Sequence, residues 1–338
     1  MLRLFQSIFG KGALDRGRYP EPLIHRAIER AIDGTDPRLR ALPGYQKPLR
    51  PAVIHAIDHV VDLVEALPPP AAISRQHYGT DPQLSAFFAS AEHMQQVFGT
   101  DQALSDFLAG PEGSVAEQAV ALLVMAKQER HVLGMELEGE ILRREVPQVT
   151  VSFTGHRLMD PTSTEHETRR LLKRRAFDHL LSLALGRIVA ARLQRAGLRE
   201  QHTLLRRKLQ ALQHGQWSFE EAGRGERPNV ATLEAQLAAI EAQLLGLGTD
   251  VGTLKAHLDM LIDVLSRAET GLWSTRLSLI VDRLGIKRER PTVGTLQLDL
   301  DELRNVMGRT IIVRLVSIPR AALPPRRDFL REAKRYLG

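Results

Sequence analysis

Positions four and three residues apart form two unbroken tracts in the second half of the chain. The first runs Phe177, Leu181, Ala184, Ile188, Ala191, Arg195, Leu198, His202, Leu205, Leu209 and Leu212, apolar except for Arg195 and His202. The second runs Leu233, Leu237, Ile240, Leu244, Leu247, Val251, Leu254, Leu258, Leu261 and Leu265. A 3.5-residue period sustained over such a length is the pattern of a coiled coil. Residues 213–230 separate the tracts and contain Gly215, Gly223, Gly225 and Pro228, which do not continue a helix. One loop between two tracts of nearly equal length predicts an antiparallel hairpin over 166–284 with its tip at 213–230. Folding about that loop sets Leu212 against Leu233, Leu205 against Ile240 and Ala184 against Leu261. Gly197 then falls at the level of Gly246, Gly248 and Gly252. Glycine inside a helix costs about 1 kcal/mol relative to alanine, so the cluster reads as a hinge or close backbone approach, or as a break after which Thr249 or Asp250 caps a new helix.

The first half is patterned for shorter helices. Leu23, Ile24, Ala27, Ile28 and Ala31 make one face of a helix over 21–33, and Val53, Ile54, Ile57, Val60, Val61 and Val64 make one over 51–67 that ends at Pro68. The stretch that begins Tyr78-Gly-Thr-Asp is echoed twenty residues later at Phe98-Gly-Thr-Asp, and Gly-Thr-Asp recurs at 34–36 and 248–250. Glycine closes one helix, Thr or Asp accepts the free amides of the next, and Pro37 or Pro82 suits a first helical position. A long helix over 114–146 is expected before Pro147.

Beyond Pro147 the period becomes two. Val149, Val151 and Phe153 alternate with Thr150, Ser152 and Thr154, Leu296, Leu298 and Leu300 alternate likewise, and residues 309–318 are rich in β-branched side chains. The expectation is a mainly α chain. Residues 1–18 would form an N-terminal amphipathic segment and 19–147 a helical bundle. Residues 148–338 would form a small α+β platform that carries the inserted hairpin and ends in a basic helix.

Composition narrows the chemistry. Among 338 residues there is no cysteine, which removes disulfides and thiolate metal sites and fits a reducing cytoplasm. No segment approaches the roughly 20 apolar residues of a membrane span. The first nine residues lack the long apolar core of a secretory signal, although Leu2, Phe5, Ile8 and Phe9 offer a face for peripheral membrane contact by residues 2–9 or for docking on the chain's own domain. The net charge of +6 is uneven. Residues 165–215 carry twelve Lys or Arg against four acids, and 229–284 carry four against seven, so the two tracts attract each other.

Motifs for nucleotide phosphates, acyl transfer and zinc proteolysis are lacking, and none implies a cofactor. The metal candidate is His55, Asp58, His59 and Asp62, at helical spacing, for which a polar helix face is the competing reading. A basic patch of Arg169, Arg170, Lys173, Arg174 and Arg175, with Arg206, Arg207 and Lys208 further along, suits phosphates, while aromatics for base stacking make up only 5% of the chain. Trp217 and Phe219, in the tip loop, suit partner binding or a plug on the coil. These features together predict a non-enzymatic cytoplasmic scaffold or adaptor that presents a coiled-coil arm to a protein partner. The alternatives are a nucleic-acid-associated protein that uses the basic arm and tail, and a metal-dependent enzyme around His55 and His59.

Overall fold

The computed structural model describes residues 19–138, 141–213, 230–246 and 250–322. These divide into two compact units, one of residues 59–176 and 269–322 and the other of residues 19–58 and 177–268.

The first unit is built on a six-stranded sheet, and this overturns the expected mainly α fold with a coiled-coil hairpin: the chain is mixed α+β. Its strands are β1 (Ala71–Ala72), β2 (Gln118–Glu138), β3 (Ile141–Thr162), β4 (Leu272–Val281), β5 (Leu296–Asn305) and β6 (Thr310–Pro319). Their order is β3-β2-β6-β5-β4, antiparallel throughout, with β1 parallel on β6. The stretch expected as a helix over 114–146 is therefore mostly strand β2. Its inner part, Ala119 to Met125, is apolar and buried at every residue. Ala119, Ala121, Leu123 and Met125 face one core, whereas Leu122 and Val124 face another on the opposite side of the sheet. A strand covered on both faces loses its period of two and reads as a continuous apolar run, which periodicity cannot tell from a buried helix.

The first core is filled from short helices, of which α4 and α6 follow the repeated Gly-Thr-Asp turns: α3 (Arg75–Tyr78), α4 (Pro82–Phe87), α5 (Ala91–Thr100), α6 (Gln102–Ala109) and α7 (Pro111–Val115). Asp81 caps α4 through the amides of Gln83 and Leu84, Ser90 caps α5 through His93, and Asp101 caps α6 through Leu104. These caps hold Leu84, Phe87, Phe88, Met94, Phe98 and Leu104 over the sheet, where Phe87 meets Phe153 edge-on at 4.9 Å. Each cap aspartate also ties its turn to a distant strand with its second oxygen. Asp81 Oδ2 accepts from Arg314 at 2.8 Å, and Asp101 Oδ2 accepts from the Leu158 amide at 2.8 Å.

The opposite face of the sheet is closed by the end of α2 (Gln46–Glu65) and the start of α8 (Glu165–Gln213), with Val64 and Leu172 in the core. Helix α2 begins before the expected Pro51, which it contains. Thr168, fully buried in α8, donates to Val120 O at 2.9 Å and contacts Thr162 Oγ1 at 2.7 Å, fixing the helix to the strand below it.

The second unit is helical: α1 (Glu21–Asp33), a 3-10 turn at Pro37–Ala41, the first part of α2, most of α8, then α9 (Val230–Gly246) and α10 (Asp250–Ser266). The first heptad tract does lie within one helix of 49 residues. The second does not form one arm, because α9 and α10 are bent by 60° relative to each other, and residues up to 284 do not continue it: after α11 (Ala268–Gly271) the chain enters β4. The apolar face of α8 is also shared with other elements. Leu181 packs at Gly34 behind α1, Arg30 pairs with Asp178 at 2.5 Å, and α10 lies against the 3-10 turn. Ion pairs Arg187–Asp263 (2.7 Å) and His202–Glu241 (2.9 Å) link α8 to α10 and α9. Among the described residues no single helix is long and apolar enough to cross a membrane.

Candidate functional site

Each unit presents one feature beyond the needs of its own packing. In the sheet unit it is the outer part of the β2–β3 ribbon. β6 pairs with β2 only as far as Met125, while β2 and β3 stay paired with each other out to Glu138 and Ile141. Part of the free edge of β3 is covered by the chain after β4: Val151 N donates to Gly285 O at 2.7 Å and Lys287 N to Val149 O at 2.8 Å. That approach requires glycine, since Gly285 has φ +77° and a Cβ would lie 2.8 Å from Val151 O. From Val132 and Gln148 outward, the ribbon pairs only with itself among the described residues. There Gln148 lies buried over Gly134 and its Nε2 donates to Met135 O at 3.3 Å. A Cβ at Gly134 would sit 2.1 Å from Gln148 Oε1, so glycine leaves the space this side chain fills. Leu133 and Met135 on the same stretch are 71% and 63% exposed.

In the helical unit the feature is a cavity of about 440 Å³ between α8, α10 and the 3-10 turn. Arg192, Arg195 and Arg199 reach it from α8, Arg38 from the turn, and Thr253 and His257 from α10. Behind them lies Asp36, 1% exposed, which also caps the 3-10 turn through the Arg38 amide. Its carboxylate accepts from Arg38 Nε at 3.0 Å and from His257 Nδ1 at 2.9 Å, and forms an ion pair with Arg192. A carboxylate only accepts, so the His257 proton on this contact is on Nδ1. Burial opposes the charge on Asp36, but the hydrogen bonds from Arg38, Arg192 and His257 outweigh it and hold its carboxyl well below the usual range.

The residues singled out in the sequence are dispersed. Arg169 donates to Val64 O and Leu67 O at 2.5 and 2.9 Å, and Lys173, 3% exposed, holds Glu65 at 2.6 Å. Arg170 pairs with Glu167, and Arg175 with Asp160 at 2.7 Å. These residues tie α8 to its surroundings, whereas Arg174, Arg206, Arg207 and Lys208 are exposed. In α2, Asp58 accepts from the Tyr19 hydroxyl at 2.7 Å and His59 Nε2 contacts Leu272 O at 2.7 Å. His55 and Asp62 lie on the same helix, and among the described residues no group of three or more His, Asp or Glu is placed to hold a metal. Gly197 is inside α8 and Gly246 ends α9, and a Cβ at either would meet nothing within 4 Å. Gly252 is in the first turn of α10. Trp217, Phe219 and Gly248, residues 2–9 and the basic tail after Ala322 lie outside the described residues.

The sequence reading missed Leu133, Met135, Asp36 and His257. One signal for the cavity was present: Arg192, Arg195 and Arg199 stand at i, i+3 and i+7, on one face of a helix. Comparison with protein-family models, curated proteins and solved structures finds no match.

Proposed function

We propose that this chain is a non-enzymatic cytoplasmic adaptor that binds a protein partner through the outer β2–β3 ribbon. The observation that carries the reading is the exposure of Leu133 and Met135 on a ribbon that, among the described residues, pairs only with itself there. A two-stranded ribbon is marginally stable alone in water, and its open edges offer main-chain donors and acceptors to an added strand. Apolar side chains beside such an edge supply the pockets and anchors of strand-addition recognition. A photocrosslinker at Met135 in the full chain should therefore capture a discrete partner, and Leu133→Asp with Met135→Asp should weaken that complex by about 2 kcal/mol, the scale of an interface anchor. Equal retention of the partner by the double variant would refute the assignment. Light scattering that showed a homodimer, lost in the double variant, would replace it with self-pairing.

A second reading, nucleic-acid association, is favoured by the exposed Arg206, Arg207 and Lys208 on α8. It requires affinity for RNA or DNA that falls linearly in log–log form with salt, and that flattens when the three are neutralised.

A further inference from the structure

Apart from the ribbon, the sheet unit holds a cavity of about 230 Å³ at a split between its strands. β5 pairs with β6 only from Asp301 and Val313 to Arg304 and Thr310, and β1 takes up the edge of β6 away from β2 at Val316 and Ser317. Between the two, Gln83 of α4 stands in for a strand. Its Nε2 donates to Asp299 O at 2.7 Å, and its Oε1 accepts from Arg314, which also donates to Asp81 at 2.8 Å. Arg314 is thereby matched. The other three charges on the wall are not. Arg276 of β4 stands directly opposite Asp301 of β5 in the ladder, and Asp299 is two residues away on the same face. Yet among the described residues the Arg276 guanidinium and the carboxylates of Asp299 and Asp301 make no hydrogen bond or ion pair. Asp301 is half-buried, and burial pushes its carboxyl above the ordinary value despite the fields of Arg276 and Arg314. Opposite charges that face each other without closing leave a slot in which each lacks a partner.

We propose that this cavity binds a free α-amino acid, with its ammonium group on Asp299 and Asp301 and its carboxylate on Arg276. The wall carries two unmatched acids and one unmatched base, and a zwitterion offers donors to the acids and a planar acceptor to the guanidinium. A bare divalent cation would suit the acids but not the guanidinium beside them, and among the described residues no group of three or more His, Asp or Glu is placed to hold a metal. The volume lies below the roughly 300–1,000 Å³ of drug-sized sites, which restricts the ligand to a small one. Phe87, Leu300 and Val313 supply an apolar wall for its side chain. Pro68 and Pro69 line the cavity without a backbone N–H that would compete for the acids. Gln83 is a positioning residue, because it holds the Asp299 backbone and Arg314 apart at the split. The proposal does not depend on the outer ribbon and its protein partner.

Calorimetry on the full chain at fixed ionic strength, with glycine, alanine, leucine and phenylalanine as probes, tests it. Saturable one-to-one binding of at least one of them is expected. The same amino acid with its amine acetylated, or with its carboxylate converted to an amide, should bind at least about tenfold more weakly, since each form loses a charge-assisted contact. Arg276→Gln and Asp301→Asn should each weaken binding by a similar factor, and Arg283→Gln, exposed outside the cavity, should leave it unchanged. A preference for leucine or phenylalanine would identify a ligand that uses the apolar wall, and a preference for glycine or alanine one held by the charges alone; both support the site. Circular dichroism checks that each variant is folded, and Arg276→Gln, at an exposed position, serves if Asp301→Asn is not. The proposal is overturned if none of the four amino acids binds saturably, if either blocked form binds as tightly as its parent, or if Arg283→Gln weakens binding as much as Arg276→Gln. Magnesium or calcium ions that bind more tightly than every amino acid would equally overturn it.

Discussion

Removing the Asp36 side chain should destabilise the helical unit more than any other single charge removal there. The carboxylate is buried and serves three purposes: it caps the Pro37–Ala41 turn through the Arg38 amide, accepts from His257 Nδ1 at 2.9 Å and pairs with Arg192. In Asp36→Ala the lost cap costs about 1 kcal/mol. His257, itself buried, is left with an unmatched donor at about 1–3 kcal/mol. Breaking a buried ion pair costs about 3–5 kcal/mol, but Arg192 and Arg38 are 37% and 61% exposed and recover part of their hydration, so the lower end applies. These costs share partners and do not add, which leaves a net loss of about 3 kcal/mol. With a urea slope of about 2 kcal/mol/M, the midpoint of the helical unit should fall by about 1.5 M. Asp36→Asn, which keeps an acceptor for the Arg38 amide, should lie between. The pH dependence has a definite sign. Because the folded carboxyl titrates below its unfolded value, its stabilisation is complete above about pH 3.9 and is lost as pH falls through the lower folded value. Asp36→Asn should therefore show a shallower loss of stability in acid. An Asp36→Ala midpoint within about 0.3 M of the parent would refute the assignment of Asp36 as the organising charge.

Phe87→Ala removes a buried ring that packs edge-on against Phe153 and should destabilise the sheet unit by about 3–5 kcal/mol in urea titration; a loss under about 1 kcal/mol would contradict the packing. Thr168→Val leaves Val120 O without its donor and should cost about 1–3 kcal/mol by the same measurement, with a neutral result counting against the link between α8 and β2. Burial pushes the His156 imidazole below its ordinary value of about 6.5, with its contact to Phe87 O acting the other way. The unfolded chain therefore takes up this proton first, and stability should fall as pH drops below about 6.5; an NMR titration of His156 with its midpoint at or above that value would exclude the effect.

Much of the local structure was legible. Helix α1 begins and ends where the apolar face over 21–33 places it, and Asp36, Asp81 and Asp101 cap as the Gly-Thr-Asp turns require. The alternation at Val151 and Phe153 and at Leu298 and Leu300 marked parts of β3 and β5, and the β-branched side chains over 309–318 marked β6, which is covered on both faces. The long α8 followed from its heptads. Strand β2 did not follow from its own residues, because burial on both sides erased the alternation that marks a strand. Strand β4 was absorbed into the expected hairpin, whose bound at 284 lay well past Leu265, the last residue of the second tract.

What the sequence determined by itself is what depends on neighbours within about four residues: helix faces, caps, turns and the distribution of charge. What only the tertiary structure decided is which faces are covered and by what. The apolar face of α8 is one case, because a heptad row specifies a partner surface without specifying that Gly34, at the end of α1, meets Leu181 on it. Asp36 is the other. The chain spells a cap, and one oxygen of the carboxylate serves as one, but the second oxygen meets His257 and Arg192, 221 and 156 residues away in sequence. No local rule links residues so far apart; the fold links them, by burying a charge where only those donors can satisfy it.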